Sequence, residues 1–335
     1  MIVKAYVAKK PGLRLESFQY ELGPLKPDEV DIDVEYCGIC RSDLHMLKND
    51  WKMTKYPFVP GHEIIGKVSK VGSMVTHLKK GQRVGVGWRS RSCQTCLQCL
   101  SGYHNRCPNG EDVIVERHGG FANKVRCQGL WAFPLPDNLD YKSAGPLFCG
   151  GITVFNPIIQ NNINSTNHVA VVGIGGLGHL ALLFLRAWGC DITAFSTNPE
   201  KEDEAKKLGA NHFVNSNSIK DMKAFTNAFD LIIVTTNADI DWDSYISTLA
   251  PGGKMHIVGA VDQMKATVFP FISQERSIGG SPTGGPAVIL KMLEFCQRHR
   301  IKPITEEFPL SKINEALNHL EKGKARYRIV LKNDL

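Results

Sequence analysis

Nowhere in this 335-residue chain do five or six cations follow one another, although Lys and Arg outnumber Asp and Glu by 40 to 33 and the formal charge is +7. That absence argues against a nucleic-acid tail and leaves a small phosphorylated ligand as sufficient reason for the charge. Internal repeats and low-complexity segments are missing as well. With 43% apolar and 22% charged residues, the composition is that of an ordinary folded chain, which rules out disorder. The start, Met1 to Lys10, lacks the apolar core of a signal peptide. No clean membrane span is present either. Val169 to Leu185 is uncharged, but Gly173, Gly175, Gly176 and Gly178 interrupt it and Arg186 ends it. A buried strand turning into a buried helix is expected there, and the cytoplasm is the expected compartment.

Cysteine, by contrast, is plentiful: there are ten. The length suits two domains of about 150 residues, each able to bury a real core, so a disulfide-held mini-scaffold is excluded. In a chain of this kind, clustered cysteines point to metal or redox chemistry.

Three textures follow one another. Residues 1–149 hold short alternating runs (Glu29 to Tyr36, Ile64 to Val71, Arg83 to Val86) between Gly and Pro signals, which predicts a mostly β domain. Residues 150–285 alternate strand-like and helix-like segments. Predicted strands are His168–Val172, Asp191–Ser196, Asn211–Asn215, Phe229–Thr235 and Lys254–Val258, with a helix at Pro199–Leu208. Such βα units imply a parallel sheet with right-handed crossovers. Residues 286–335 predict a helix from Pro286 to Arg300 and another from Ser311, its expected cap, to Glu321. A lone strand, Tyr327–Leu331, should return to the first region.

The strongest chemical signal is Cys93-x2-Cys96-x2-Cys99-x7-Cys107. Four thiolates in one loop can close a tetrahedral Zn²⁺ shell with no open position, which makes a structural site. An iron–sulfur site is the rival, because the ferredoxin run also begins C-x2-C-x2-C and ends in Cys-Pro. Its last spacing is three residues rather than seven. Arg89, Arg91 and Arg106 flank the loop and are expected to offset its negative charge. A scattered second set, Cys40, His62 and Cys149, offers two thiolates and one imidazole, a catalytic-zinc ligand set with a fourth position open. Each of these three could instead be a packed core residue.

The chain resembles the zinc-dependent medium-chain dehydrogenases of the cinnamyl alcohol dehydrogenase type, and within them the compact bacterial NADPH-dependent aldehyde reductases. The resemblance rests on Gly87 to Cys93, Ala144 to Phe155 and Lys324 to Leu331, and runs the whole length. It implies a chaperonin-10-like (GroES-like) β catalytic domain carrying two zinc ions, with a doubly wound Rossmann domain inserted in it and the nicotinamide lying between the two. Cys40, His62 and Cys149 would then hold the catalytic zinc, with Glu63 beside it and Asp43 orienting His62. Ser42 would pass the alcohol proton through the nicotinamide ribose to His45. Hydride leaves a carbinol carbon readily only if the oxygen is alkoxide-like, which zinc promotes by lowering its pKa. Arg41 departs from the histidine common in plant enzymes, and the stretch from Cys107 to Gly119 is short beside theirs. Trp51 and Trp88 are the expected pocket walls. The substrates implied are broad aliphatic or aromatic aldehydes; a polyol dehydrogenase is the alternative, although such relatives replace Cys149 by Glu. A homodimer through the outer strand near Ser277–Gly280 is implied too.

The cofactor reading starts from Gly173-Ile-Gly175-Gly176-Leu177-Gly178, placed between a predicted strand and an apolar helix. There the glycines permit a tight turn and close approach of a pyrophosphate. Where NAD enzymes place an acidic residue about 20 positions past the glycines, this chain has Ser196-Thr197-Asn198, then Lys201. Neutral hydroxyls and an ammonium suit a 2′-phosphate, so NADP(H) is expected. Thr153 beside the nicotinamide, Val258, Gly259, and Arg328 at the pyrophosphate complete the expected set.

Overall fold

The computed structural model describes residues 1–335 and divides into two compact units, Met1–Ile152 with Thr283–Leu335, and Thr153–Pro282. In the first, the strand Glu29–Ile39 is central. It pairs antiparallel with Glu63–Val71, Lys124–Gln128 and the C-terminal strand Arg328–Lys332. Its opening alternation puts Val30, Ile32 and Val34 in the core. Asp31 is buried too, because the Arg126 guanidinium grips its carboxylate with bonds of 2.7 and 3.2 Å.

The tail completes this unit. Thr305–Pro309 lies parallel to Arg328–Lys332, and the helix Ile313–Glu321 buries Ile313, Ala316 and Leu317. Asn314 mimics a peptide group. Its Oδ1 accepts the Leu15 N–H at 2.8 Å and its Nδ2 donates to the Leu15 carbonyl at 3.0 Å. The expected Ser311 cap is not formed. The helix starts at Ile313 after a 3-10 turn, and Ser311 is engaged by the Asp334 carboxylate, which accepts both its N–H and its hydroxyl.

The second unit is a six-stranded parallel sheet in the order His212–Asn215, Asp191–Ser196, His168–Val172, Phe229–Val234, Leu249–Ile257, Ser277–Gly280. Its central strands are almost wholly apolar and buried, as strands covered on both faces must be. The uncharged run resolves into the strand His168–Val172 and the helix Gly178–Trp188, closed by Gly189 at φ +91. No helix is long and apolar enough to cross a membrane. The segment after Asn198 begins as a 3-10 turn, with the Asn198 side chain accepting the Glu200 N–H, and becomes α-helical only at Glu202.

Asn314→Ala removes two hydrogen bonds joining the first strands to the tail. Unfolding in urea should show a loss of about 1–3 kcal/mol, the worth of two such bonds.

Candidate active site and cofactor-binding turn

The strand Glu29–Ile39 ends just before Cys40 and the helix Arg41–Lys48 begins just after it, so Cys40 is the helix N-cap. Asp43, in the first turn, reaches back to accept the Cys40 N–H at 2.9 Å. The same carboxylate accepts the Gly61 N–H at 2.9 Å and lies 3.1 Å from His62 Nδ1. With Nδ1 so engaged, His62 turns Nε2 to within 3.2 Å of Cys149 Sγ, which is 3.7 Å from Cys40 Sγ. A tetrahedral zinc with ordinary bond lengths sets sulfur–sulfur separations of about 3.8 Å and nitrogen–sulfur separations of about 3.6 Å. The donor set therefore fits such an ion.

Glu63 adjoins these three within the same cluster. Its Oε1 accepts from the Arg328 guanidinium, while Oε2 is buried without a partner. Arg328 is thus buried and held on Glu63. Burial pushes the Glu63 carboxyl up to about 7, against the pull of that guanidinium. A hydrogen bond with the Cys149 thiol holds Cys40 well below the ordinary thiol range, and Cys149 is raised in return. Burial opposes a charge on His62, but the Asp43 carboxylate outweighs it and the pKa rises.

Ser42 Oγ lies 3.6 Å from Cys40 Sγ. His45 holds Asp50 at 2.8 Å through Nδ1, and its buried Nε2 has no partner. Its ring stacks on Trp51 at 5.2 Å; Trp51 meets Trp88 at 6.3 Å, and Trp88 meets His62 edge-on at 5.0 Å. Trp88 therefore borders the thiol–imidazole set, and Trp51 lies between Trp88 and His45. Asp112, which the sequence did not single out, interacts with the Trp88 side chain and pairs with Arg89 at 3.1 Å.

The four-cysteine loop also gathers. Sγ separations are 3.5 Å for Cys93–Cys107, 3.9 Å for Cys96–Cys107 and 4.0 Å for Cys93–Cys99. These bracket the spacing of about 3.8 Å expected around one zinc. Thiols bound to different irons of a cluster would stand farther apart. Backbone N–H groups of Thr95 and Cys96 lower Cys93 to about 5, while burial raises Cys99 to about 12. The flanking arginines take partners outside the four cysteines. Arg89 pairs with Asp112, Arg91 with Asp28 at 2.7 Å, and Arg106 lies over the Tyr103 ring.

In the second unit, Gly173 turns the chain at φ +90 and its N–H donates to the Phe195 carbonyl. A Cβ on Gly178 would lie 2.0 Å from the Gly173 carbonyl oxygen, so the helix can start there only with glycine. A Cβ on Gly175 would meet nothing within 4 Å. The turn is open where a pyrophosphate would approach the N–H groups of the helix Gly178–Trp188. Lys201 Nζ donates to the Ile174 carbonyl at 2.6 Å, which brings its ammonium to the turn, and Ser196 Oγ accepts the Asn198 N–H. Val258 and Gly259 both donate N–H to the Val234 carbonyl at the next strand end. Thr153 is half-buried near the start of the helix Gly150–Gln160. Thus the ligand set, Ser42, His45 and the tryptophans gather in the first unit, and the glycine turn, Ser196, Thr197 and Lys201 in the second.

Residues 26–137 match the alcohol dehydrogenase GroES-like domain and residues 176–298 the zinc-binding dehydrogenase domain. The chain belongs to the zinc-type medium-chain alcohol dehydrogenase family and is an oxidoreductase of the alcohol dehydrogenase and aldehyde reductase type. It is 49% identical over 331 residues to the aldehyde reductase AdhA of Synechocystis sp., covering 98% of each chain. Among solved structures it matches the cinnamyl alcohol dehydrogenase SbCAD4 of Sorghum bicolor with a TM-score of 0.95 and 34% identity, covering 99% of this chain and 98% of that one. It also matches the CAD from Helicobacter pylori complexed with NADP(H), at a TM-score of 0.90 and 28% identity, with coverage of 99% and 98%. The fold expected from the resemblance, GroES-like with an inserted Rossmann domain, is the one observed.

Asp43→Asn replaces a carboxylate that accepts from two backbone N–H groups and His62. Metal affinity of the Cys40–His62–Cys149 set should fall 10–100-fold, as for other lost ligand-orienting carboxylates, in competition with a chromophoric chelator.

Proposed function

We propose that this enzyme works as an aldehyde reductase with NADP(H), interconverting primary alcohols and aldehydes of broad aliphatic or aromatic type, with two zinc ions per chain. The observation that carries the reading is the convergence of Cys40, His62 and Cys149 on one point, with Glu63 drawn to Arg328 beside them. When bound, zinc would supply Lewis-acid polarisation of a carbonyl or hydroxyl oxygen, and NADP(H) the hydride. Every other task falls to side chains.

Cys40, His62 and Cys149 would hold the catalytic ion, and Cys93, Cys96, Cys99 and Cys107 the structural one. Ser42 holds the proton exchanged with the substrate hydroxyl, and His45 exchanges it with solvent. Asp50 orients His45 through Nδ1 and leaves the buried Nε2 for the inner end of that relay. Trp51 and Trp88 exclude water and favour an apolar substrate body. The glycine turn would bind the pyrophosphate, Thr153 the nicotinamide end, and Ser196, Thr197 and Lys201 the 2′-phosphate. No carboxylate ends the strand Asp191–Ser196 to compete for it. A polyol dehydrogenase is not favoured, since the Cys149 thiol already completes the ligand set. Self-association through the edge strand Ser277–Gly280 is supported by the exposed apolar residues Val268, Phe269 and Ile272 preceding it.

Ser42→Ala should slow aldehyde reduction by roughly 10²–10⁴, the usual worth of a positioned proton-transfer group. Chemistry-limited turnover at the wild-type rate would sink the relay. With aldehyde saturating, kcat/KM should favour NADPH over NADH by at least about tenfold, or ~1.4 kcal/mol. Lys201→Ala should erode that preference while leaving the ranking of aldehydes unchanged.

A further inference from the structure

A third group of metal-ligating side chains lies wholly within the parallel sheet, at the opposite end of the strand His168–Val172 from the glycine turn. Parallel pairing sets His168 beside Asp191, and His212 beside Thr193, two residues on from Asp191. Because alternate residues share a face, His168, Asp191 and His212 project together from three adjacent strands. Asp191 Oδ1 is 3.1 Å from His212 Nε2, and Asp191 Oδ2 is 3.6 Å from His168 Nε2. One ligand atom from each residue falls within 4.8 Å of the others. The Thr193 hydroxyl, 3.0 Å from His168 Nε2, is a further polar contact of that ring.

We propose that His168, Asp191 and His212 form a third metal site, for a divalent transition metal of the zinc type, distinct from both cysteine sets. Two imidazoles and one carboxylate are nitrogen–oxygen donors that suit Zn²⁺, Co²⁺, Ni²⁺ or Cu²⁺; Mg²⁺ and Ca²⁺ prefer oxygen throughout. Ligands bound at about 2.0–2.2 Å stand roughly 3–3.5 Å apart, so small side-chain rotations bring these three into range. The surroundings favour the ion. His168 packs edge-on against Phe229 at 4.5 Å, and Phe225, stacked on Phe229, lies 6.0 Å from His212. This apolar floor lowers the local dielectric and strengthens each bond to a cation. Three protein ligands leave further positions for water. The bound ion clips three neighbouring strands together, and because it binds only the folded sheet it stabilises the fold as its free concentration rises.

The test uses the protein with its resident metals, dialysed against metal-free buffer and then exposed to micromolar Zn²⁺. Wild type is compared with His212→Gln and Asp191→Asn, both at exposed positions. Elemental analysis and calorimetric titration should find one more zinc per chain in wild type than in either variant. The thermal unfolding midpoint of wild type should climb with the logarithm of free Zn²⁺, that of the variants should not, and aldehyde reduction should be alike in all three. Equal zinc content in wild type and variants, or a zinc-dependent midpoint that survives in both variants, overturns the proposal. Since the readout is a difference between wild type and variant, the occupancy of the cysteine sets cancels from it.

Discussion

Asp43 carries a carboxylate with no exposure to water, and N–H groups from two stretches of chain converge on it: Cys40 from the strand end, and Gly61 and His62 from the loop before the next strand. A buried charge is tolerable only when it is hydrogen-bonded this fully, since leaving it unpaired costs several kcal/mol. Those bonds do more than compensate the charge. They cap the helix that carries Ser42 and His45, hold the loop at Gly61, and choose which nitrogen His62 presents to the thiols. Remove that carboxylate and the three ligands no longer share a reason to face one another.

The second buried acid, Glu63, is handled differently. It has one partner, the Arg328 guanidinium, and leaves Oε2 unpaired beside the thiols. Burial works against the charge on Arg328, but Glu63 and the thiols more than restore it. The last strand of the chain therefore contributes twice, once to the sheet that frames the site and once to the charge balance inside it.

The inserted sheet obeys a simpler rule. Its central strands are buried on both faces. At one end of His168–Val172 the glycines bring backbone N–H groups to a point where an anion can sit, and a side chain at Gly178 would close that turn against the Gly173 carbonyl. At the other end, register alone collects two histidines and an aspartate. The same strand order thus builds both ends, one for an anion and one suited to a cation.

The sequence by itself determined what is local. The spacing from Cys93 to Cys107, the glycine turn between strand and helix, and the alternation of Val30, Ile32 and Val34 all act over a few residues, so they are legible without a fold. Cys40, His62 and Cys149 were legible only as a set, because each alone reads as an ordinary core residue. Tertiary structure decided the partners of groups that had several to choose from. Arg328 sits on Glu63, 265 residues away in sequence, and Arg89 and Arg91 turn to Asp112 and Asp28 instead of the cysteine loop. Ser311 is drawn to Asp334 instead of capping its own helix. The His168–Asp191–His212 group exists only because parallel register aligns three strands. In each case a long side chain or hydroxyl faced competing partners, and the winner was set by which of them the folded backbone brought within hydrogen-bonding reach.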